Sequence, residues 1–136
     1  VGGMEIHVAT STKRQIIDIT DKVTEIIQGQ GKGAVLVFVQ HTTAAVTTAD
    51  LDPGTDLDFL DALEGLLPER QWRHPHNPDH APDHLLASIV GPSVTVPYHD
   101  DKLLLGAWQR IVLVEFDGSR DRTITLQVLP APQTSV

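Results

Sequence analysis

Histidine and hydroxyl side chains cluster at two places where they could bind or activate a ligand. The segment His41-Thr42-Thr43 follows the strongly apolar residues 34–39, which places an imidazole and two hydroxyls at the end of a predicted strand. Four of the seven histidines fall between His74 and His84. Because histidine acts as a general acid, a general base or a metal ligand, both places are candidate sites. The alternatives are a structural role for His41 and a solvated, histidine-rich loop.

A metal site is one interpretation of these histidines. His76, His80 and His84 are spaced four residues apart, but the two intervening prolines prevent a continuous helix through them. We therefore expect His41, His74 and His84 to converge as a three-imidazole site with an open position. The absence of cysteine excludes thiolate zinc sites and cysteine nucleophiles. The predicted cofactor is a divalent metal, either zinc-like or magnesium accompanying a phosphate substrate.

Two arginines lie on a turn near the C-terminus and are candidate phosphate ligands. Arg120 and Arg122 follow Asp117-Gly118, and a guanidinium binds phosphate or carboxylate bidentately. The hydroxyls of Thr42 and Thr43 complete the predicted phosphate-binding set. The alternative is that the arginines form salt bridges with the surplus of aspartates. We expect both arginines to contribute more to anion binding than to stability.

Aspartates crowd the segment between residues 50 and 61, and helix caps or solvated faces are the usual fate of such acids. Asp58 falls on the polar side of a predicted helix and is a candidate to orient the His41 ring. Asp50 and Asp58, with His41, are therefore the candidate catalytic residues.

Composition and charge exclude several classes of function. The 18 acidic and 10 basic residues give a formal charge of −8, which repels a nucleic-acid backbone. Phosphate-cradling GxxxxGK[ST] and GxGxxG loops and a GxSxG elbow are missing from the sequence. The longest apolar run is too short to cross a membrane, and no secretory signal pattern is present at the N-terminus. We expect a soluble, cytoplasmic protein with neither nucleic acid nor membrane as its partner.

The elements that position these residues predict an α+β fold in one domain over residues 4–130. Residues 1–3 are interpreted as a cloning remnant and residues 131–136 as a flexible tail. Two to three helices and a mixed or antiparallel sheet are expected, because the helices interrupt the strands without a βαβ rhythm. The first two strands are expected to form a hairpin, and residues 34–40 to be buried on both faces at the centre of the sheet. Strands are predicted at residues 5–9, 15–19, 34–40, 44–48, 93–97, 111–116 and 123–128, and helices from Thr20, over 56–67 and over 84–90.

Several blocks occur in an order that resembles the YjbQ-like family, often labelled secondary thiamine-phosphate synthase. The resemblance covers residues 5–128. It rests on the order and spacing of the blocks as well as on their composition. The blocks are His41-Thr42-Thr43-Ala44-Ala45, Asp52-Pro53 with Asp58, His74, Ala81-Pro82-Asp83-His84, Gly91-x-Ser93 with Pro97, Leu103-x-Leu105-Gly106-x-Trp108-Gln109-x-Ile111 and Asp117-Gly118-x-Arg120-x-Arg122.

The resemblance implies an α+β homotrimer with a histidine-bearing site near the subunit boundary. It also places Trp108 and Gln109 in the pocket, and implies a weak ability to join the pyrimidine and thiazole phosphates of thiamine. Where the family usually has an Asn-Glu pair, this chain has Ala49-Asp50, so the acid is one methylene shorter.

Three functional hypotheses follow for a small phosphorylated ligand. The first is condensation of a pyrimidine pyrophosphate with a thiazole phosphate, in which a metal and an arginine neutralise the departing pyrophosphate. The second is a trimer that binds a metal or phosphorylated ligand without turnover, and the third is metal-assisted hydrolysis. A carboxylate, Asp50 or Asp58, within reach of the imidazoles would favour catalysis over binding.

Overall fold

Two antiparallel sheets form the framework of the protein in the computed structural model, which describes residues 3–74 and 78–132. The five-stranded sheet has the order β1-β8-β3-β5-β6, and the three-stranded sheet has the order β2-β7-β4. All neighbouring strands are antiparallel, which confirms the predicted α+β class. The strands are β1 (Gly3–Ala9), β2 (Gln15–Asp18), β3 (Lys32–Val39), β4 (Ala44–Asp50), β5 (Ser93–His99), β6 (Lys102–Leu103), β7 (Gln109–Glu115) and β8 (Asp121–Pro130).

Three helices pack on this framework: α1 (Thr20–Ile26), α2 (Thr55–Glu64) and α3 (Ala81–Val90). A threonine at the start of a helix is a candidate N-cap, but Thr20 does not cap α1. Thr20 is the first helical residue, and its hydroxyl accepts a hydrogen bond from the Ile111 backbone nitrogen at 2.8 Å. The threonine thus ties the helix to β7, and Oδ1 of Asp18 accepts the Thr20 backbone N–H at 2.9 Å.

The predicted bounds of the other two helices also differ from the structure. Helix α2 ends before Gly65, and its N-cap is Gly54, whose φ of 89° favours glycine. Helix α3 begins three residues earlier than expected, after a 3₁₀ turn at Pro78–His80. Pro82 still lies in the first turn, where its missing N–H costs no helical hydrogen bond. His84 consequently lies inside the helix, one residue after Asp83.

The strand that is buried on both faces is β7, and not β3 as predicted. Ile111 and Leu113 pack in the core between the sheets, whereas Val112 and Val114 pack under α2 and α3. In β3 the side chains alternate, and Phe38 on its outer face is 39% exposed. The apolar run of β3 therefore reflects one buried face and one face that is only partly covered.

The predicted hairpin between the first two strands is wrong, because each strand pairs with a strand near the C-terminus. Strand β1 pairs with β8, and Gly3, which was assigned to a remnant outside the domain, pairs with Gln127. Strand β2 pairs with β7 in the other sheet. Ala131, assigned to the tail, donates a backbone hydrogen bond to Lys32 at 2.9 Å. Residues 1, 2 and 133–136 lie outside the described residues.

Three strand-to-strand connections cross between the two sheets at the same end of the molecule, and one of them is the segment 10–14 between β1 and β2. The other two carry predicted site residues, and we call them the crossovers. Residues 40–43 lead from β3 to β4, and residues 116–120 lead from β7 back to β8. A backbone hydrogen bond of 3.1 Å from Phe116 to Thr43 joins these two crossovers. They bring the predicted histidine and arginine segments together. Within residues 3–74 and 78–132, no helix is both long and apolar enough to cross a membrane.

Candidate functional site

An open cavity of about 680 Å³ lies where the two crossovers meet the N-terminal part of α3, and we call it the crossover cavity. It contains five of the predicted site residues from the two crossover regions together with one histidine of the helix. The lining residues are Gln40, His41, Thr42, Thr43, His80, His84, Asp117, Arg120, Asp121 and Arg122.

Arg122 is mainly an interior residue, and not the exposed anion ligand that the sequence predicted. It is 2% exposed and pairs with Glu115, whose Oε1 accepts a hydrogen bond from Nε at 2.8 Å. Nη2 of Arg122 also donates to the hydroxyl of Thr43 at 2.8 Å. The sequence cannot distinguish such an arginine from its exposed neighbour, because both belong to the same polar segment, residues 117–122. Arg122 and Thr43 therefore form the buried floor of the cavity.

Glu115 remains ionised in this floor because it has three hydrogen-bond partners. Besides Arg122, the Thr10 hydroxyl donates to Oε1 at 2.7 Å and the Asp117 backbone nitrogen donates to Oε2 at 3.1 Å. Burial raises the pKa of Glu115, but the hydrogen bonds from Arg122 and Thr10 outweigh it and hold the pKa below its usual value. The floor is thus a neutral ion pair.

His41 lies at the edge of the floor as a neutral hydrogen-bond acceptor. Its Nε2 accepts the backbone N–H of Thr123 at 3.0 Å, which assigns the proton of the neutral ring to Nδ1. Burial and the positive charge of Arg122 lower the pKa of His41 below its usual value. The ring consequently presents one N–H donor, and Nε2 is occupied by the backbone.

Arg120 is the exposed guanidinium of the cavity. Its Nε donates to the Asp117 carbonyl at 2.9 Å, and its Nη2 lies 3.0 Å from Oδ2 of the same residue. The Asp117 carboxylate also lies 3.7 Å from Lys13. Burial raises the pKa of Asp117, but the hydrogen bond and charge of Arg120 and the charge of Lys13 lower it further than burial raises it. Arg120 is thereby held over the cavity by a carboxylate that stays charged to lower pH than an ordinary aspartate does.

The position of α3 beside the cavity depends on a buried carboxylate. Asp83, which is 1% exposed, lies 2.9 Å from Nζ of Lys13 and 3.0 Å from Nη2 of Arg14. These two basic residues precede β2 and contact Asp117 and Phe116 of the second crossover. The Asp83 contacts therefore fix the helix, and His84 next to it, against the crossover.

His74 does not line the crossover cavity. Its ring packs against that of His84, with centroids 4.6 Å apart and an interplanar angle of 39°. Among the described residues, no three His, Asp or Glu side chains are arranged to hold a metal ion. Since Nε2 of His41 is already bonded to Thr123, the geometry does not fit the predicted metal set of His41, His74 and His84. His76 lies outside the described residues.

The predicted catalytic carboxylates also lie away from the cavity. Asp50 is the last residue of β4, six residues beyond Ala44, and a strand rises about 3.3 Å per residue. It is thus about 20 Å along the strand from the crossover, and its carboxylate accepts the Asp52 backbone N–H at 2.9 Å. Asp58 is an exposed residue of α2 and is not among the lining residues.

Trp108 and Gln109 lie at the same far end as Asp50, and not in the cavity as the resemblance implied. Gln109 is directly opposite Asp50 in the β4–β7 pairing, and its side chain bonds to Thr48 and to the Gly106 backbone nitrogen. Trp108 is 71% exposed. Strand β7 runs from Gln109 to Glu115. The predicted residues near Gln109 and those of the crossover cavity, near Glu115, therefore lie at opposite ends of this strand.

Sequence reasoning missed three contributors to the cavity: Asp117 as the residue that holds Arg120, His80 as a lining residue, and the backbone of Thr123 as the donor to His41. The acidic first position of the Asp117–Arg120 turn was a usable signal, since aspartate is favoured there. Nothing in the sequence marks Thr123, because its contribution is a main-chain N–H.

The chain is similar to a family of known proteins. The model of the family described as "UPF0047 protein YjbQ-like" matches residues 4–131. A UPF0047 protein of Archaeoglobus fulgidus is 39% identical over 127 residues, covering 93% of this chain and 100% of the relative. The UPF0047 protein YugU of Bacillus subtilis is 33% identical over 130 residues, covering 91% of this chain and 96% of the relative.

Solved structures agree with these sequence relatives. A crystal structure of a YbjQ-like protein of unknown function from Sulfolobus solfataricus has a TM-score of 0.88 and 36% identity, covering 96% of this chain and 97% of that one. A hypothetical protein from Aeropyrum pernix has a TM-score of 0.87 and 35% identity, covering 96% of this chain and all of that one. Sequence and fold lead to the same conclusion: the chain belongs to the UPF0047 family of YjbQ-like proteins.

Proposed function

We propose that the crossover cavity binds a small phosphorylated ligand, with Arg120 as its main cationic contact. The observation that carries this proposal is that Arg120 lines the cavity while bonding to Asp117 through Nε and Nη2, and not through Nη1. A guanidinium held in this way loses less side-chain freedom when its remaining N–H groups bind phosphate. In a chain with a formal charge of −8, a phosphate needs such a local cation.

Hydrogen-bond donors around Arg120 support the same ligand. Thr42 is exposed at the cavity and offers a hydroxyl, and His41 offers an Nδ1–H. His84 reaches the cavity from α3 and donates in either protonation state. Each of these groups can donate to a phosphate oxygen. The set resembles the polar lining of small-ligand sites, in which a few convergent groups fix orientation.

Binding without turnover is favoured over the condensation of a pyrimidine pyrophosphate with a thiazole phosphate and over metal-assisted hydrolysis. Both reactions would use a positioned acid or base, or a metal ion. Asp50 and Asp58 are away from the cavity, and Asp117 is engaged by Arg120 and Lys13. Asp121, the other carboxylate of the lining, is exposed, and Nε2 of His41 already accepts the Thr123 N–H. Condensation activity in this chain is therefore expected to be slow. The phosphate contacts would be the main stabilisation of the departing pyrophosphate.

We also propose that the chain assembles as a homotrimer. Trp108, Leu104 and Ile89 are each more than half exposed, and large apolar side chains at a surface are typical of protein–protein contacts. Sedimentation equilibrium is expected to give three times the chain mass of 14.8 kDa. A monomeric mass at micromolar concentration would contradict the trimer.

The binding proposal is tested by calorimetry with inorganic phosphate and pyrophosphate, each with and without Mg²⁺ or Zn²⁺. We expect Arg120→Gln to weaken binding at least about 10-fold, since a hydrogen bond to a charged group contributes about 1.5–3 kcal/mol. Arg110→Gln is the matched control, because Arg110 pairs with Asp18 and Asp21 outside the cavity. Equal losses in both variants, or no binding by the wild type, would overturn the proposal.

The condensation reaction is tested separately with the two phosphorylated precursors. Wild type and His41→Ala are compared with and without a chelator. Turnover that is fast and survives both changes would show that the chemistry lies elsewhere in the protein. Slow turnover that is lost in Arg120→Gln would fit the phosphate contacts proposed here.

A further inference from the structure

A second cavity lies beside His84 and is separate from the crossover cavity. It has a volume of about 330 Å³, and we call it the Trp72 pocket. Trp72 and Leu85 give it apolar walls, Arg70 and Arg73 give it guanidinium groups, and His74 and His84 give it imidazole rings. Segment 70–74 supplies four of these six side chains, and α3 supplies the other two.

The flat groups of the Trp72 pocket are arranged for stacking. Arg70 lies over the Trp72 ring, with Cζ 5.2 Å from the ring centroid. The His74 and His84 rings contact each other at a centroid distance of 4.6 Å. Indole, imidazole and guanidinium faces all stack on aromatic rings. The pocket thus offers several planar surfaces beside the aliphatic side chains of Ala81 and Leu85.

The charge of the Trp72 pocket is unusual for this protein. Arg73 is exposed and makes no ion pair with any carboxylate in residues 3–74 or 78–132, although the chain has 18 acidic residues. Arg70 contacts Trp72 and the Gln71 carbonyl, and likewise has no acidic partner in the described chain. Two unpaired guanidiniums beside an indole favour an electron-rich or anionic aromatic ligand over an apolar one.

His84 connects the Trp72 pocket to the crossover cavity, because its ring lines both. A ligand that reaches past this single side chain contacts both sets of residues. Among the described residues that line the crossover cavity, the only rings are imidazoles, and the cavity supplies phosphate contacts. The Trp72 pocket supplies stacking surfaces. The two cavities could therefore hold two different parts of one ligand, a phosphate and an aromatic ring.

We propose that the Trp72 pocket binds a planar aromatic group of the same ligand whose phosphate lies in the crossover cavity. The ligand class is a phosphomonoester of a planar aromatic ring, and this inference rests on the proposed phosphate binding. Trp72, Arg70 and Arg73 hold the ring, while Arg120 holds the phosphate. His84 lies between the two groups and contacts both.

The experiment compares three probes by calorimetry: inorganic phosphate, methyl phosphate and phenyl phosphate. Wild type is expected to bind phenyl phosphate about 10-fold more tightly than methyl phosphate, which corresponds to about 1.4 kcal/mol. Trp72→Leu and Arg73→Gln are expected to remove this preference while leaving the affinity for inorganic phosphate unchanged. Phenyl phosphate should also quench a tryptophan fluorescence component that Trp72→Leu lacks.

The outcomes separate this inference from the proposed function. If wild type binds no phosphate, the proposed function fails, and the inference fails with it. If wild type binds phosphate but shows equal affinity for phenyl and methyl phosphate, only the aromatic subsite is overturned. A phenyl preference that persists in both Trp72→Leu and Arg73→Gln would also overturn it. Weaker binding of all three probes in Arg120→Gln, together with unchanged inorganic phosphate binding in Trp72→Leu, would support it.

Discussion

The guanidinium of Arg122 and the carboxylate of Glu115 form an ion pair that joins the two sheets in the protein interior. Arg122 is on β8 of the five-stranded sheet, Glu115 is on β7 of the three-stranded sheet, and both are at most 2% exposed. Thr43 and Thr10 occupy the remaining hydrogen-bonding positions of the pair. The pair therefore connects both crossovers directly beneath the candidate site.

Removing Arg122 is expected to destabilise the protein strongly. In Arg122→Met, the Glu115 carboxylate stays buried without its cation, and breaking a buried ion pair costs about 3–5 kcal/mol. Urea denaturation measures this loss. Arg120→Met is the matched control two residues earlier in the chain, with an expected change of about 1 kcal/mol or less because the Arg120 side chain in its pair with Asp117 is half exposed. Similar stability of the two variants would contradict the structural role of Arg122.

The stability of the protein is expected to fall at acidic pH in part through Glu115. The pKa of this carboxyl is lowered in the folded state, so the folded protein binds its proton less readily than the unfolded chain does. The contribution of Glu115 is therefore complete above its ordinary pKa of about 4.5 and is lost as the pH falls through the lower folded value. Denaturation curves between pH 2.5 and 6 should show the advantage of wild type over Glu115→Gln shrinking with falling pH. A constant difference would contradict this linkage.

His41 is expected to titrate below its ordinary pKa of about 6.5, because burial and Arg122 disfavour the charged ring. Its contribution to stability is complete above that ordinary value and is lost as the pH falls through the lower folded pKa. Protonation also removes the acceptor of the Thr123 N–H, so the Thr123 amide signal should shift with the same midpoint. Nuclear magnetic resonance of the ring and amide measures both, and His41→Ala identifies the signals. A midpoint at or above 6.5 would contradict this environment.

The sequence predicted the identity of most elements better than their pairing. Alternation and apolar runs located β1, β2, β3 and β7 because these patterns are local. The partners of β1 and β2 are β8 and β7, more than 90 residues away, and no local pattern encodes that choice. Burial of β7 on both faces likewise depends on which helices cover the three-stranded sheet.

For the site, the prediction was most accurate where residues lie on the crossovers. His41, Thr42 and Arg120 line one cavity because the ends of β3 and the start of β8 are neighbours in the same sheet. Asp50 and Gln109 were grouped with these residues because their motifs occur in the family order. The order of motifs in a sequence does not show how far apart two residues lie along a strand. Antiparallel strands β4 and β7 carry these two residues together to the opposite end.

Gly118 is expected to tolerate no side chain, because it lies against the segment before β2. A Cβ at this position would clash with the Thr12 carbonyl oxygen and would be 2.8 Å from the Thr10 hydroxyl. Gly118→Ala should therefore displace the turn that carries Arg120, lowering both the melting temperature and the phosphate affinity. Gly65→Ala is the matched control, since its Cβ would meet only ordinary contacts at 3.6 Å. Equal melting temperatures of the two variants would contradict this packing.

Asp83 is expected to stabilise the protein by fixing α3 against the second crossover. In Asp83→Asn the buried side chain keeps its size but loses the charge that pairs with Lys13 and Arg14. We expect a loss of about 1.5–3 kcal/mol, as for hydrogen bonds to charged groups, since half-exposed Lys13 regains water while Arg14 keeps Glu64. Asp58→Asn, on the exposed face of α2, should change stability by less than about 0.5 kcal/mol.

The Asp83 variant should also act on the site without touching the ligand. His84 follows Asp83 directly, so a shift of α3 moves this ring relative to Arg120, which Lys13 helps to hold through Asp117. Phosphate affinity is therefore expected to fall in Asp83→Asn at a temperature where the variant is fully folded, and to stay unchanged in Asp58→Asn. Wild-type affinity in folded Asp83→Asn, measured by calorimetry, would show that the ion pairs of Asp83 stabilise the helix and do not position the cavity.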